Sequence, residues 1–319
     1  GFKPTKRTWG AEVFPGSSLP NAMVQVSPVT KFHSGAGYQY EDSVIYGFTH
    51  TNKGHWNLCH IPLLPVTGTP TPGDYCSPFS HERESAAPGY YQVFLDRYGV
   101  DAQLSSTLRC AFHKYTYPAG AAASLLADLQ RSNEHVRAWD IRKEGDNVFA
   151  GWQQTGEKMY FYAVANRPVT GIEPVVEGDR EVRIVRFGEG DGALELRIGF
   201  SFVSEKNARE NLEAEMLGKS FAEVRSEATA TWNDLLGRIR VEGGTEREKG
   251  LFYSSLYRSF LWPALRSDVN GEFTDVDGKV INPGFRYYTG PSYWDDYRNK
   301  LIPVSYTHLR AHETRRHLV

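Results

Sequence analysis

The stretch LELRIGFSF, Leu194–Phe202, decides the fold. Leu194, Leu196, Ile198, Phe200 and Phe202 alternate with Glu195, Arg197, Gly199 and Ser201. Successive side chains of a strand point to opposite faces, so this period of two sends one row of large apolar groups into a core. Weaker runs of the same kind occur at Ala22–Val26, Tyr90–Leu95, His135–Ile141, Val148–Gln153 and Met159–Ala165. Pro and Gly punctuate them, notably in Thr67–Gly73 and Pro118–Gly120. Many short strands at this spacing predict an antiparallel sandwich rather than a parallel α/β sheet.

Downstream of Phe202 the pattern changes. Ser204–Leu217 is rich in Glu, Ala, Asn and Lys and predicts a mostly solvated helix. Ser220 and Glu223 form a capping-box pattern ahead of Phe221, Val224, Ala228, Trp232, Leu235 and Ile239, which fall at helical spacing. Thr245 and Glu248 repeat it ahead of Phe252, Leu256 and Phe260, with Tyr253, Tyr257 and Leu261 widening the stripe. A helix apolar over so broad an arc packs against other helices, so an α-domain begins near Trp232, and Gly243-Gly244 separates its first helices. The expected fold is a mainly β N-terminal sandwich, 1–203, a helical linker, 204–230, and the start of a helical domain, 231–304. Residues 305–319, SYTHLRAHETRRHLV, carry three His and three Arg without a core-forming period. They resemble a translated sequencing adapter more than native chain; the alternatives are a basic surface helix or a metal-binding pair, His308 and His312, at i, i+4.

The 319 residues suit about two domains, and the formal net charge of −2 gives no electrostatic reason to expect nucleic acid or an anionic membrane. No apolar run suggests a membrane-spanning helix. The chain starts at Gly1 without a visible signal peptide, which leaves a leader undecided. The three cysteines, Cys59, Cys76 and Cys110, lack paired zinc-site spacing and fit either one disulfide plus a thiol or three thiols. Aromatic residues make up 13% of the chain, a content that fills sandwich cores and also suits stacking on sugar faces.

Two segments concentrate chemistry. Gly37–Gly68 holds Tyr38, Tyr40, Glu41, Asp42, His50, His55, Trp56, Asn57 and His60, with Thr49–Gly54 expected as a loop between apolar stretches. Loops on a rigid sandwich are favoured places for binding residues, although an ordinary hairpin with satisfied histidines has the same composition. Tyr287–Lys300 places Trp294, an aromatic platform, beside Asp295, a carboxylate able to accept from two sugar hydroxyls. Asp295 or Asp296 pairing with Arg298 is the competing structural reading. Adjacent carboxylates rarely face one substrate, so Asp295 and Asp296 make a poor acid/base pair.

Taken together, FPG at Phe14–Gly16, NAMVQVSP at Asn21–Pro28, YEDSVIYGFTHT at Tyr40–Thr51 and LLPVTG at Leu63–Gly68 resemble glycoside hydrolase family 92. So do Trp232–Phe260 and YYTGPSYWDDYR at Tyr287–Arg298, in the family's order up to about Val304. The resemblance implies an exo-acting α-mannosidase with an N-terminal β-sandwich, a helical linker and an (α/α)6 barrel, here incomplete. It implies an active site between sandwich and barrel, a calcium ion that eases ring distortion, inversion at the anomeric carbon, and a periplasmic or secreted location. Mannose-containing glycans are the implied partners. Trp294 and Asp295 match the pair that holds the terminal mannose; Trp56, with His55 and Asn57, falls in the segment reaching into the sugar pocket; His50 falls in a histidine-bearing loop motif. Many members carry a Leu-Ser-Gly type loop where this chain has Asn52–Trp56, which puts linkage preference in doubt. The family's acid, base and most calcium ligands belong to later barrel helices, so no catalytic residue is expected here and the fragment is expected to be inactive. The rival expectations are a non-catalytic carbohydrate-binding module and an inverting glycosidase for another sugar.

Overall fold

The structure, a computed structural model, describes residues 14–53, 56–190 and 192–289, with the side chains of 52–57 outside the description. Among the described residues, two large antiparallel sheets pack face to face. One runs Ser17–Ser18, Gln25–Val29, Gly47–Thr49, Leu63–Val66, Ser124–Ala127, Arg180–Phe187, Val169–Glu177. The other runs Ala138–Gly145, Val148–Gln154, Lys158–Ala165, Leu194–Ser201, Cys110–Thr116, Val100–Ser106, Tyr90–Leu95, Glu84–Ala87. The sandwich expectation is met, and its core draws on both sheets.

Leu194–Ser201 is an interior strand, with Cys110–Thr116 on one side and Lys158–Ala165 on the other. Leu194, Leu196, Ile198 and Phe200 all lie at 0% exposure, as the alternation predicts. Burying each such side chain contributes about 1.5–3 kcal/mol. The opposite row is not solvated throughout. Helix α1, Glu205–Glu215, capped by Ser204, lies on this face and buries Asn207, Ala208, Asn211 and Leu212. The outer face is solvated as expected, with Lys206, Arg209 and Glu213 exposed, whereas Asn207 and Asn211 on the inner face are buried against protein groups.

The approach of α1 depends on Gly199, where a Cβ would stand 2.1 Å from the Ala208 carbonyl oxygen and 2.8 Å from Leu212 Cβ. Gly199→Ala is expected to lower stability by about 1–3 kcal/mol, the usual cost of overpacking. Urea unfolding followed by circular dichroism measures it, and an unchanged midpoint would contradict so close a seat for α1.

Helix α2, Phe221–Leu236, and helix α3, Glu246–Ser259, both carry the complete capping boxes expected of Ser220/Glu223 and Thr245/Glu248. Gly243 and Gly244 separate them at φ 75° and 69°, left-handed values that suit glycine. The first half of α2 continues the cover over the sheet, where Phe221 and Val224 join Phe112, Cys110, Leu212 and Met216. At Trp232 the packing changes partner: Trp232, Leu235, Leu256, Tyr257, Phe260 and Leu261 cluster with Phe14. Trp232 Nε1 donates to the Ser18 carbonyl at 2.7 Å, so the helix pair is tied to the sandwich edge. On the outer side of α3, Leu251 is 59% exposed.

Two strand boundaries move. The first run begins at Gln25 because Met23 and Val24 donate to the Leu108 carbonyl instead of a ladder neighbour. The run expected at His135 begins at Ala138. Among the described residues none of the three cysteines forms a disulfide, and Cys59 and Cys110 are buried.

Candidate functional site

Beyond Leu261 the chain forms a strap that returns along the sandwich. Asn21 receives it, its N–H donating to Phe260 O at 2.6 Å, its Nδ2 to Pro263 O at 2.8 Å, and its carbonyl accepting from Leu265 N–H at 2.9 Å. Gln25 Nε2 donates to Leu261 O at 2.8 Å. The strap doubles on itself: Arg266 N–H donates to Tyr287 O at 2.8 Å, and Thr289 N–H to Ala264 O at 2.9 Å. The Arg266 guanidinium, 8% exposed, lies over the Phe202 ring and pairs with Glu157 at 3.0 Å. The strap therefore ends on the sandwich beside Glu157 and leads into the segment bearing Trp294 and Asp295.

On the same corner the Gly47–Thr49 strand runs into a short hairpin in which Asn52 pairs with Asn57 and Lys53 with Trp56. Part of the expected loop is therefore strand. Below it, His60 is 1% exposed, with Nδ1 2.8 Å from Thr51 Oγ1 and Nε2 2.9 Å from Thr155 Oγ1 and 3.2 Å from Glu134 Oε2. Glu134 also lies in the wall of an open cleft of about 800 Å3, together with Arg131, His135, Arg137, Trp139 and Arg180. Hairpin, cleft and strap thus meet around Glu134, Glu157 and Arg266. These three were not singled out from sequence; each is a lone charged residue in a connection or loop, without a motif to mark it.

The residues expected to bind are distributed unevenly. His50 has no exposed surface; its Nε2 lies 3.1 Å from His113 Nε2, and its ring stands 4.5 Å from Phe200 by centroids. Burial pushes the His50 imidazole down to about 3, and burial followed by the neighbouring His50 pushes His113 well below its usual value. A neutral ring inside the core cannot touch a sugar; it supports the strand from which the hairpin rises. Trp56 and Asn57 stand in the hairpin's returning strand by their backbones, and their side chains lie outside the described residues. His55, Trp294, Asp295, Asp296, Arg298, His308 and His312 lie outside the described residues.

Others in the polar segment have internal partners. Tyr38 donates to Glu84 at 2.9 Å, Tyr40 stacks on His81 at 3.9 Å, and Asp42 accepts from Thr30 Oγ1 at 2.7 Å. Among the described residues no three His, Cys, Asp or Glu side chains gather as a metal-binding group, and no helix is long and apolar enough to cross a membrane.

Comparison with known proteins places this architecture. The model of the glycosyl hydrolase family 92 N-terminal domain matches residues 5–211, and that of the family's catalytic domain matches residues 207–313. A family 92 alpha-mannosidase from Bacteroides thetaiotaomicron superposes with TM-score 0.84 at 27% identity, covering 92% of this chain and 45% of its own. The same enzyme in complex with mannoimidazole gives the same TM-score over 44% of its chain. An uncharacterized secreted glycosidase from Arthroderma benhamiae is 25% identical over 318 aligned residues, 82% of this chain and 41% of its own. The chain spans less than half the length of these relatives. By both domain matches, the chain belongs to glycosyl hydrolase family 92.

Proposed function

We propose that this chain is the substrate-gripping part of a calcium-dependent, inverting exo-α-mannosidase that removes terminal α-mannose from glycans. The observation that carries the reading is the meeting of hairpin, cleft and strap at one corner of the sandwich, in a chain with the fold of an α-mannosidase. In this reading Trp294 stacks on the terminal mannose and Asp295 accepts from two of its hydroxyls. Trp56, His55 and Asn57 approach the same sugar from the hairpin. His50 acts from below, as a buried support.

An inverting glycosidase needs a protonated acid and an opposed base roughly 6.5–9.5 Å apart, with water between them. In this reading both carboxylates belong to barrel helices outside these 319 residues, which alone would not cut the bond. Calcium, when bound, would polarise sugar hydroxyls and hold the ring distorted. Among the described residues no three His, Cys, Asp or Glu side chains form a cage for it. The proposed division is sandwich 1–203, linker 204–230 and barrel start 231–304, with 305–319 playing no part. A secreted or periplasmic location accords with the secreted glycosidase from Arthroderma benhamiae.

The test uses the protein encoded by the whole reading frame, an aryl α-mannoside, and proton NMR of the first sugar released. The expected product is β-mannose, and chelation should lower kcat/KM at least about tenfold, restored by added calcium. Initial α-mannose overturns inversion, and cleavage confined to another glycoside overturns the sugar assignment. Chelator-resistant turnover overturns the metal requirement. Mannobiose affinity without turnover would make the protein a binding module.

A further inference from the structure

We propose that His60 is a positioning residue for the glycan, the centre of a directional latch of Thr51, His60, Thr155 and Glu134 that fixes the Asn52–Asn57 hairpin against the cleft. The inference rests on the function proposed above for what the hairpin does, and on geometry alone for the latch.

A hairpin of two residue pairs has no stability of its own in water, so its direction is set where it joins the sandwich. Both of its ends are tied there. Leu58 N–H donates to Thr51 O at 3.1 Å, closing the two strands at the base. The Leu58 carbonyl accepts from Asn133 N–H at 3.0 Å and from Ser132 Oγ at 2.7 Å, fastening the returning strand to the cleft's rim. A further tie is the side-chain relay through His60.

Chemistry gives the relay a direction. Thr155 Oγ1 donates its one proton to Glu134 Oε2 at 2.6 Å, since a carboxylate only accepts. Thr155 Oγ1 must then accept from His60, which places the ring proton on Nε2 at 2.9 Å, with Glu134 Oε2 sharing it at 3.2 Å. On the other side of the ring, Nδ1 and the Thr51 hydroxyl stand 2.8 Å apart and complete the chain of contacts. The relay therefore runs from the hairpin's entering strand, through a ring 1% exposed, to a carboxylate 40% exposed in the cleft wall. Arg266, paired with Glu157 at 3.0 Å, lies close enough to Glu134 to feel its charge. A glycan arm touching Glu134 thereby meets the group that orients the hairpin.

Thr155→Val removes the hydroxyl and keeps the shape, and Thr155→Ser restores the hydroxyl. Both are measured in the protein encoded by the whole reading frame, by amide exchange across residues 52–58 and by aryl α-mannoside kinetics. Loss of one such bond is expected to speed exchange there, and to raise KM, about tenfold each with kcat little changed. The serine variant should return both, and exchange elsewhere in the sandwich serves as the control for folding. Unchanged hairpin exchange in Thr155→Val overturns the latch. Faster exchange with KM unchanged overturns the positioning role. If the unmodified protein turns over no α-mannoside, the function proposed above fails, while the exchange measurement still decides the latch.

Discussion

Asp268→Ala is expected to lower the unfolding free energy by about 3–5 kcal/mol, the cost of stranding several buried polar groups at once. Asp268 is 2% exposed and joins the strap to α1 and the sheet. Its Oδ2 accepts from Ser201 Oγ at 2.6 Å and Asn207 Nδ2 at 2.9 Å, and its Oδ1 from Asn211 Nδ2 at 2.7 Å. Burial pushes the carboxyl above its ordinary range, opposed by those three donors and by Arg109. Arg109 secures the same turn, donating from Nε to Ser267 O at 2.8 Å and pairing with Glu215 at 2.6 Å. Removing the carboxylate strands the Ser201 hydroxyl and one N–H of each amide, while Asn207 keeps Glu272 and Asn211 keeps the Phe200 carbonyl as second acceptors. Urea unfolding gives the loss, with Asp268→Asn, which keeps one acceptor oxygen, expected to fall between. A loss below about 1 kcal/mol would contradict the strap's dependence on this residue.

Acid should weaken the fold well before most carboxylates titrate. His50 and His113 are neutral in the core, each with its folded value depressed, His50 to about 3. Their N···N hydrogen bond at 3.1 Å also requires one ring to present a lone pair. In the unfolded chain both titrate near 6.5. Below that pH the unfolded state takes up protons that the folded state refuses, so stability falls as pH drops from about 6.5 toward 3. At pH 5 the cost is about 2 kcal/mol per ring, about 4 kcal/mol for the pair. The measurement is urea unfolding at pH 7 and pH 5. His50→Leu/His113→Leu, which removes both partners together, should flatten the dependence. Equal stability at the two pH values in the unaltered protein would contradict neutral buried rings.

Much of the fold was legible because its signals are local. The Leu194–Phe202 alternation and the two capping boxes at Ser220 and Thr245 act through near neighbours, and each element formed where expected. The buried inner face of helix α1 was not legible because Asn207 and Asn211 look solvated in sequence, whereas their partner Asp268 lies about 60 positions away. His50 misled for the same reason: its partner, His113, is 63 positions distant. The candidate site was legible as a region, Gly37–Gly68 with Tyr287–Lys300, because aromatic and polar groups are dense there. Glu134, Thr155 and Arg266 were not, because single residues from separate connections become a group only after the sheets have paired.

The most direct measurement of the central claim sets the 319-residue chain beside the protein encoded by the whole reading frame, with the same aryl α-mannoside. Positioned acid and base groups contribute about 10²–10⁴ each, so the chain without them should fall at least about 10⁴-fold in kcat/KM. The account predicts inverting turnover by the longer protein and none above background by the chain. Comparable turnover by the chain alone would contradict it, because the acid and the base would then lie within these residues.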